Sequence, residues 1–313
     1  MSNIKSCKDL YDLHLHTYWS YDATAHPENY FKRARELGVC CLAIADHHVL
    51  DSLEEVLEIA KEYPEVWIIP AAELSVTTSI GAVDLLCYGF PRKLSEELQR
   101  IFAIYHAWQR AAGEARSKGL QALGYDFTDD HRLELLQSYR PSKAIEVQGN
   151  THVKNAVLRK YFVERGFIAN EEDYSALMNR ARKAVHFPPY PDVADVVPVI
   201  KQAGVLVAIA HPYGYFNGYD LSKMDVLREE CCLDGIECIN KSKVPPEYTQ
   251  LYRKYCVQHG LFSVAGSDCH SDEDIPDIFA HHRGFPHHEG SDKWLNEFLN
   301  RLTHSFPNFH KNL

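Results

Sequence analysis

Residues 39–48 read VCCLAIADHH, and this stretch decides the fold class. Its first seven residues form a continuous apolar run with the length of one buried strand. A helix-length segment lies on either side, which is the pattern of parallel strands that alternate with helices. The run ends in Asp46, His47 and His48. Because α/β barrels carry their chemistry at the carboxyl ends of their strands, we expect a functional site here, with His47 facing inward and His48 flanking it.

Other predicted strand ends also offer metal-binding side chains. His14 and His16 lie two residues apart, so in a strand they point to the same side. Asp22 follows in a predicted loop, from which it can reach a neighbouring ion. Residues 66–72 form another apolar run and end at Glu73, whose two carboxylate oxygens can bridge two cations. Taken singly, the histidine pair is equally well explained by ordinary hydrogen bonds, and Glu73 is better explained by a solvated charge at a strand end.

Two later apolar runs repeat this arrangement. Residues 205–210 end at His211, and residues 261–265 end shortly before Asp268 and His270, which are again two residues apart. Five such endings in one chain are hard to attribute to chance, so we interpret the set as a polynuclear metal site. The candidate ligands are His14, His16, Asp22, His47, Glu73, His152, His211, Asp268 and His270.

These motifs resemble those of the polymerase and histidinol phosphatase (PHP) family. The resemblance is carried by His14-x-His16-Thr17 with Asp22, Ala45-Asp46-His47, Glu73, Ala210-His211-Pro212 and Gly266-Ser267-Asp268-x-His270. The motifs span residues 10–270 in the order found in the family. The resemblance implies an α/β fold, namely a distorted (β/α)7 TIM-like barrel with a mainly helical insertion, and a phosphoesterase centre with two or three divalent metal ions.

The same resemblance distributes the ligands over the ions. It implies a first ion held by His14, His16, Glu73 and Asp268, a second held by Glu73, His152 and His211, and a third held by Asp22, His47 and His270. Mixed imidazole and carboxylate ligands fit manganese, iron or zinc better than magnesium. Manganese is therefore the first choice of cofactor for this predicted trinuclear centre.

Two arginines of the resembling branch are missing from this chain. That branch has a segment similar to Arg-x-His-Ile-Ala, whereas residues 149–156 read GNTHVKNA and keep only the histidine, His152. A further arginine is common shortly after the position of His211, where this chain has Tyr213-Gly214-Tyr215. Guanidinium groups are well shaped to bind phosphate. The absence of these arginines therefore bears more on which substrate is bound than on whether metal ions are bound. The candidate substrate-binding cations are Arg140, Lys154 and Arg283, each of which is alternatively an ordinary solvated charge.

The chain divides into two predicted parts. Residues 1–90 and 191–313 alternate strands with helices and form the expected barrel domain, whereas residues 91–190 form a helical insertion that caps the barrel mouth and delivers His152. We expect the aromatic residues Tyr105 and Trp108 to belong to the core of the cap, rather than to a platform for stacking bases. The predicted helices of the insertion cover residues 94–118, 132–139, 154–165 and 171–182.

Composition limits the function classes. The 313 residues include 43 acidic and 33 basic side chains, and the net charge of −10 argues against binding of long nucleic acid. Clustered divalent ions would nevertheless attract a phosphate locally. No apolar run is long enough to span a membrane and no signal sequence is evident, so we expect a cytoplasmic enzyme without a membrane partner. The nine cysteines form no Cys-x-x-Cys pair and are expected to be reduced thiols.

The predicted activity is hydrolysis of phosphomonoesters of a small metabolite or nucleotide, through a hydroxide that bridges two metal ions. The partner would then be a small phosphorylated substrate. One alternative is an exonuclease that acts on short RNA or DNA oligonucleotides, as the resembling branch suggests. Another is a non-catalytic module that metals stabilise, and the complete ligand set argues against it.

Overall fold

The computed structural model describes residues 10–240, 244–275 and 292–305. Seven strands form one sheet, and their spatial order is their order along the chain. The strands are β1 (Tyr11–Leu15), β2 (Cys41–Ile44), β3 (Trp67–Thr78), β4 (Gly81–Tyr88), β5 (Leu206–Ile209), β6 (Gly235–Ile239) and β7 (Phe262–Ala265).

The first and last strands approach each other and nearly close the sheet into a barrel. The backbone N–H of Asp268, just past β7, donates to the carbonyl of His14 in β1 at 2.8 Å. The N–H of His16 donates in turn to the carbonyl of Cys269 at 2.9 Å. These bonds confirm the predicted α/β fold and distorted seven-stranded barrel, and they bring both ends of the sheet to one site.

The sheet departs from the all-parallel pattern that the sequence predicts. β3 and β4 pair antiparallel, as do β4 and β5, whereas the other neighbouring strands are parallel. Only Ser79 and Ile80 connect β3 to β4, and so short a link permits only an antiparallel hairpin. No apolar run marks β6, because Glu237 stands at the centre of this strand.

The helices lie between and beyond these strands. Pro27 occupies the first turn of the first helix, and Gly38 ends it with a left-handed φ of 72° that favours glycine. The helices are α1 (Pro27–Leu37), α2 (Leu53–Ala60), α3 (Glu96–Ala122), α4 (Asp129–Gln137), α5 (Ser142–Gln148), α6 (Asn155–Glu164), α7 (Tyr174–Ala184), α8 (Val193–Gln202), α9 (Pro212–Phe216), α10 (Leu221–Glu230), α11 (Pro246–His259) and α12 (Asp292–Ser305).

Residues 91–190 contain five helices, α3 to α7, and α3 is shared between two hydrophobic clusters. Its first half contributes Leu98, Phe102 and Tyr105 to the barrel core. Its second half contributes Leu120 to a separate cluster that also includes Phe162 of α6. The buried ring of Tyr105 therefore packs in the barrel core and not within the cap. The division of the chain into two domains stays a prediction.

Two further expectations concern membranes and thiols. None of the helices in the described part of the chain combines the length and the apolar character that crossing a bilayer requires. The eight described cysteines are all free thiols, and only Cys232 is exposed. Burial keeps the other seven away from solvent, as expected for apolar core residues.

Candidate metal centre

β1 places His14 and His16 on one face, as their spacing predicts. Both side chains are fully buried, and their Nε2 atoms lie 3.0 Å apart. Leu13 and Leu15 alternate with them and pack into hydrophobic clusters. Gly266 lies against this strand so closely that a Cβ there would stand 2.2 Å from the Cβ of His14. Only glycine leaves room for the histidine at this point.

Glu73 and Asp268 complete a first group of donors. Oε2 of Glu73 lies 3.0 Å from Nε2 of His14 and 3.2 Å from Nε2 of His16. Oδ1 of Asp268 lies 3.2 Å from the same nitrogen of His16. One ligand atom from each of these four side chains falls within 4.8 Å of the others, so the group can hold a metal ion.

A second group forms around the other oxygen of Glu73. Its Oε1 lies 3.0 Å from Nε2 of His211, and Asp84 of β4 joins these two as a third possible ligand. The carboxylate of Asp84 accepts hydrogen bonds from Ser75 and, at 2.8 Å, from the hydroxyl of Tyr215. Since Glu73 directs one oxygen to each group, it is placed to bridge two ions.

A third group consists of His16, His47 and His270. Oδ2 of Asp22 lies 3.6 Å from Nε2 of His47 and 3.4 Å from Nε2 of His270. The hydroxyl of Ser20 fixes the intervening loop, because it accepts the N–H of His47 at 3.1 Å and donates to Asp22 at 2.9 Å. The structure therefore brings together all three residues assigned to the third ion by resemblance.

His152 lies beside these groups but belongs to none of them. Its buried ring stands 3.8 Å from the ring of Tyr21, and its Nδ1 has no hydrogen-bond partner among the described residues. In the described part of the chain, the third member of the second group is Asp84 and not His152. The assignment of His152 as a ligand stays a prediction, and the geometry favours Asp84.

Two carboxylates orient the site, of which sequence reasoning missed Glu237 and gave Asp46 no role. Glu237 lies 2.9 Å from Nδ1 of His14 and accepts the backbone N–H of His211 at 2.7 Å. Asp46 accepts the N–H of Thr17 at 2.6 Å and its hydroxyl at 2.8 Å, which anchors the loop after β1. Such outer carboxylates fix the tautomer and orientation of metal-binding side chains. An acidic residue inside a buried strand, as in β6, is the signal that could have found Glu237.

The three predicted substrate-binding cations differ in burial and in their contacts. Arg140 is buried, and its guanidinium donates to the carbonyls of Tyr18 and Trp19 at 3.3 and 3.0 Å, which favours a structural role. Lys154 precedes α6, whose first residue is Asn155, and is only partly buried. Arg283 lies outside the described residues. The binding roles of all three stay predictions.

Opposite charges stabilise each other throughout the centre. Burial alone would lower the pKa of His14, but the charges of Glu73, Glu237 and Asp268 raise it well above its ordinary value. Burial is likewise outweighed at His211 and His270, where neighbouring carboxylates raise each pKa to about 9. The carboxylates thus create a site that strongly favours positive charge.

The donor set fits a divalent metal cluster. One proton can be shared by only two atoms. His14 and His16 each direct a nitrogen, and Glu73 an oxygen, to the same point, and these three potential metal ligands lie within 3.2 Å of one another. A metal ion accepts all of them at once, and mixed imidazole and carboxylate ligands suit manganese, zinc or iron. By contrast, burial lowers the pKa of His48 to about 3 and its Nε2 hydrogen-bonds to Ser75, so this residue flanks the site as a neutral ring.

β3 continues past Glu73 to Thr78, so this carboxylate lies within its strand and not at the predicted strand end. A near-closed seven-stranded barrel that gathers histidines and carboxylates into three adjacent groups defines a metal-dependent hydrolase. Residues 12–188, more than half of the chain, match the PHP domain family. The chain belongs to this family of metal-dependent phosphoesterases.

Relatives and solved structures agree with this fold. A 5'-3' exoribonuclease from Haemophilus influenzae is 24% identical over 265 residues, which are 83% of this chain and 89% of that protein. A predicted metal-dependent phosphoesterase from Bifidobacterium adolescentis superposes with a TM-score of 0.63 at 24% identity, over 83% of this chain and 87% of the other. An amidohydrolase from Chromobacterium violaceum, solved with sulfate and without metal, superposes with a TM-score of 0.61 at 19% identity, over the same fractions of the two chains.

Proposed function

We propose that this protein is a phosphomonoesterase that acts on a small phosphorylated metabolite or nucleotide with the help of divalent ions, manganese first among them. The observation that carries the proposal is the position of Glu73, whose two oxygens face two separate groups of donors. When bound, such paired ions supply the positive charge that activates water and neutralises phosphate oxygens.

The residues of the chain have distinct parts in this proposal. The first group and the second group would each hold one ion, and Glu73 would join the two ions. His16, His47 and His270 with Asp22 would hold a third ion beside them. Glu237 keeps Nδ1 of His14 occupied, so that Nε2 faces the other donors. This arrangement fixes the ligands before substrate arrives, which lowers the cost of reorganisation during the reaction.

The position of helix α3 favours a small substrate. The side chain of Gln109 on this helix donates to the carbonyl of His47 at 3.2 Å, so the helix lies directly over one part of the centre. The net charge of −10 also disfavours a long polyanion. Both observations agree with a pocket for one phosphorylated molecule.

Exonuclease activity on short RNA is the second candidate, because the relative from Haemophilus influenzae is described as a 5'-3' exoribonuclease. A substrate screen distinguishes the two candidates. It would measure phosphate release from sugar phosphates, mononucleotides and bisphosphates, and shortening of labelled oligonucleotides, each with added manganese. A Glu73→Gln variant serves as the control for contaminating phosphatases.

Three outcomes can be told apart in this screen. A higher kcat/KM on small phosphomonoesters supports the first candidate, and a clear preference for oligonucleotides supports the second. If the wild-type protein shows no more activity than Glu73→Gln on every substrate with manganese, iron or zinc, both candidates are wrong. The non-catalytic alternative would then stand.

A further inference from the structure

One face of α3 lies over His47 and over the segment that contains His152. Gln109, Gly113 and Arg116 follow at intervals of four and three residues and so share this face. Gln109 donates to the carbonyl of His47. At Gly113 the helix is so close to the chain beneath it that a Cβ would stand 2.7 Å from the carbonyl oxygen of Thr151. Arg116 therefore projects from the part of α3 that covers the segment containing His152.

The guanidinium of Arg116 has no partner among the described residues. Its Nη1 is buried and forms no hydrogen bond there, although the residue as a whole is partly exposed. Two nearby arginines differ in this respect. Arg132 bonds to Ser117, Asp129 and Asn150, and Arg140 bonds to the loop after β1. A buried guanidinium nitrogen without a hydrogen-bond partner is costly, so this group is expected to gain from binding an anion.

The surroundings of Arg116 connect it to the metal centre. Burial lowers the pKa of His152 well below its ordinary value, and the positive charge of Arg116 lowers it further. The same charge acts on Tyr21 and on Tyr190, whose pKa values burial raises. The ring of Tyr21 in turn lies 5.5 Å from the ring of His47. The charge of Arg116 thus acts on a ring that borders the third group of donors.

Aromatic rings pack around His152 on this side of the metal centre. The partly exposed rings of Trp108 and Tyr190 stack with centroids 4.5 Å apart, and Trp108 also meets the ring of His152 edge-on at 5.5 Å. Rings hold their shape and exclude water, which strengthens an ionic hydrogen bond beside them. These rings therefore favour a charged group that the guanidinium holds.

We infer that Arg116 is a substrate-binding residue that holds an oxyanion, either phosphate or carboxylate, next to the metal centre. The inference rests on the proposed function, because it assigns the anion to the substrate of that site. Arg116 would supply a planar cationic hydrogen-bond donor, which this chain lacks at Asn150 and Gly214, where the resembling branch has arginines. A guanidinium suits this role, since its donors match two oxygens of one oxyanion.

The test compares Arg116→Met and Arg116→Lys with the matched control Lys118→Met. Lys118 lies on the same helix, is exposed and pairs with Glu114, so its loss changes the net charge equally without touching the site. Calorimetry would measure the affinity of the manganese-loaded protein for inorganic phosphate. Kinetics would compare p-nitrophenyl phosphate with phosphomonoesters that carry a second carboxylate or phosphate group. Arg116→Gln replaces Arg116→Met if the latter does not fold.

The expected loss for Arg116→Met is about 10- to 100-fold, the range that a charge-assisted hydrogen bond represents, with a smaller loss for Arg116→Lys. If the guanidinium holds the phosphate at the metals, affinity for inorganic phosphate and kcat/KM for every phosphomonoester fall together. If it holds a second anionic group, only the doubly anionic substrates are affected. Either pattern supports the inference.

The inference is overturned if Arg116→Met matches Lys118→Met in both assays. The outcome is separable from that of the proposed function. Should the wild-type protein hydrolyse none of the substrates, phosphate affinity alone decides on Arg116. Should the wild-type protein be active and Arg116→Met equally so, the proposed function stands and the role of Arg116 does not.

Discussion

Glu237 and His14 are joined by a buried contact of 2.9 Å between Oε1 and Nδ1, and the other oxygen of Glu237 accepts the N–H of His211 at 2.7 Å. One carboxylate thus fixes a side chain of the first donor group and the backbone of a residue in the second. Loss of such a partner weakens metal binding by roughly 10- to 100-fold in other proteins.

The Glu237→Ala variant is accordingly expected to bind manganese about 10- to 100-fold more weakly, and Glu237→Gln less severely because its amide oxygen can still accept a hydrogen bond. Titration with metal detection measures this affinity. Glu247 in the first turn of α11 is exposed, so Glu247→Gln is a matched control that should bind like the wild-type protein. Wild-type affinity in Glu237→Ala would falsify the orienting role.

Glu73→Ala and His270→Ala are expected to differ in how much metal they lose. Among the described residues, Glu73 belongs to two of the three groups of possible ligands, whereas His270 belongs only to the third. Glu73→Ala should therefore lose the bridged pair of ions and at least about 100-fold in kcat, while His270→Ala keeps that pair. Elemental analysis of dialysed protein, combined with kinetics, distinguishes the two variants. Near-wild-type turnover in Glu73→Ala would contradict a bridging carboxylate.

Asp84 and His152 provide a direct test of the second group. Asp84→Asn keeps the size of the side chain but removes its charge, and it should weaken binding of one ion by about 10-fold or more. His152→Gln should leave the metal content unchanged, because the ring lies outside the three groups. Metal stoichiometry at limiting manganese is the measurement. The reverse result would restore His152 as the ligand and make Asp84 a structural residue.

Local sequence patterns could predict much of the barrel. Each of the apolar runs that end at His47, Glu73 and His211 overlaps a strand of the sheet. Burial on both faces of a strand requires continuous apolar sequence, which is why the runs predict these strands. The hairpin of β3 and β4 could not be recognised in this way, since its direction depends on a link of two residues. β6 was missed because Glu237 interrupts its apolar pattern.

The site was harder to predict wherever a residue acts across the barrel. Asp84 reaches the second donor group only because β4 turns back beside β3, where it pairs with Ser75. That proximity follows from the topology and leaves no local trace in the sequence. The sequence alone does not single out Arg116, because a lone arginine on a long helix is usually a solvated charge. Its candidacy depends on the path of α3 over Thr151, which only the structure shows.

Metal binding near neutral pH is expected to release protons. In the metal-free protein carboxylates raise the pKa of His211 and of His270 to about 9, so both rings are protonated, whereas ligation requires neutral imidazole. Calorimetry in buffers of different ionisation enthalpy measures the release, which should decline as the pH rises through about 9. Binding heats that do not depend on the buffer would exclude it.

The same shifts predict how the stability of the metal-free protein depends on pH. A pKa raised from 6.5 to about 9 means that the folded state holds the proton more tightly than the unfolded chain. The resulting stabilisation is complete below the unfolded pKa and is lost as the pH rises through the folded one. Denaturation midpoints of the metal-free protein, measured across this interval, should therefore fall with rising pH, whereas saturating metal should reverse the trend.

Gly113→Ala should destabilise the protein by about 1–3 kcal/mol, the usual cost of forcing extra volume into a packed site. The added Cβ would stand 2.7 Å from the oxygen of Thr151 and 2.9 Å from the nitrogen of His152, and backbone atoms cannot move aside as a flexible side chain can. The control is Gly214→Ala in α9, where a Cβ meets nothing within 4 Å and should be neutral or slightly stabilising. Urea denaturation of both variants gives the comparison. Equal midpoints would mean that α3 does not cross the segment of His152 this closely, and the placement of Arg116 beside the metal centre would fail with it.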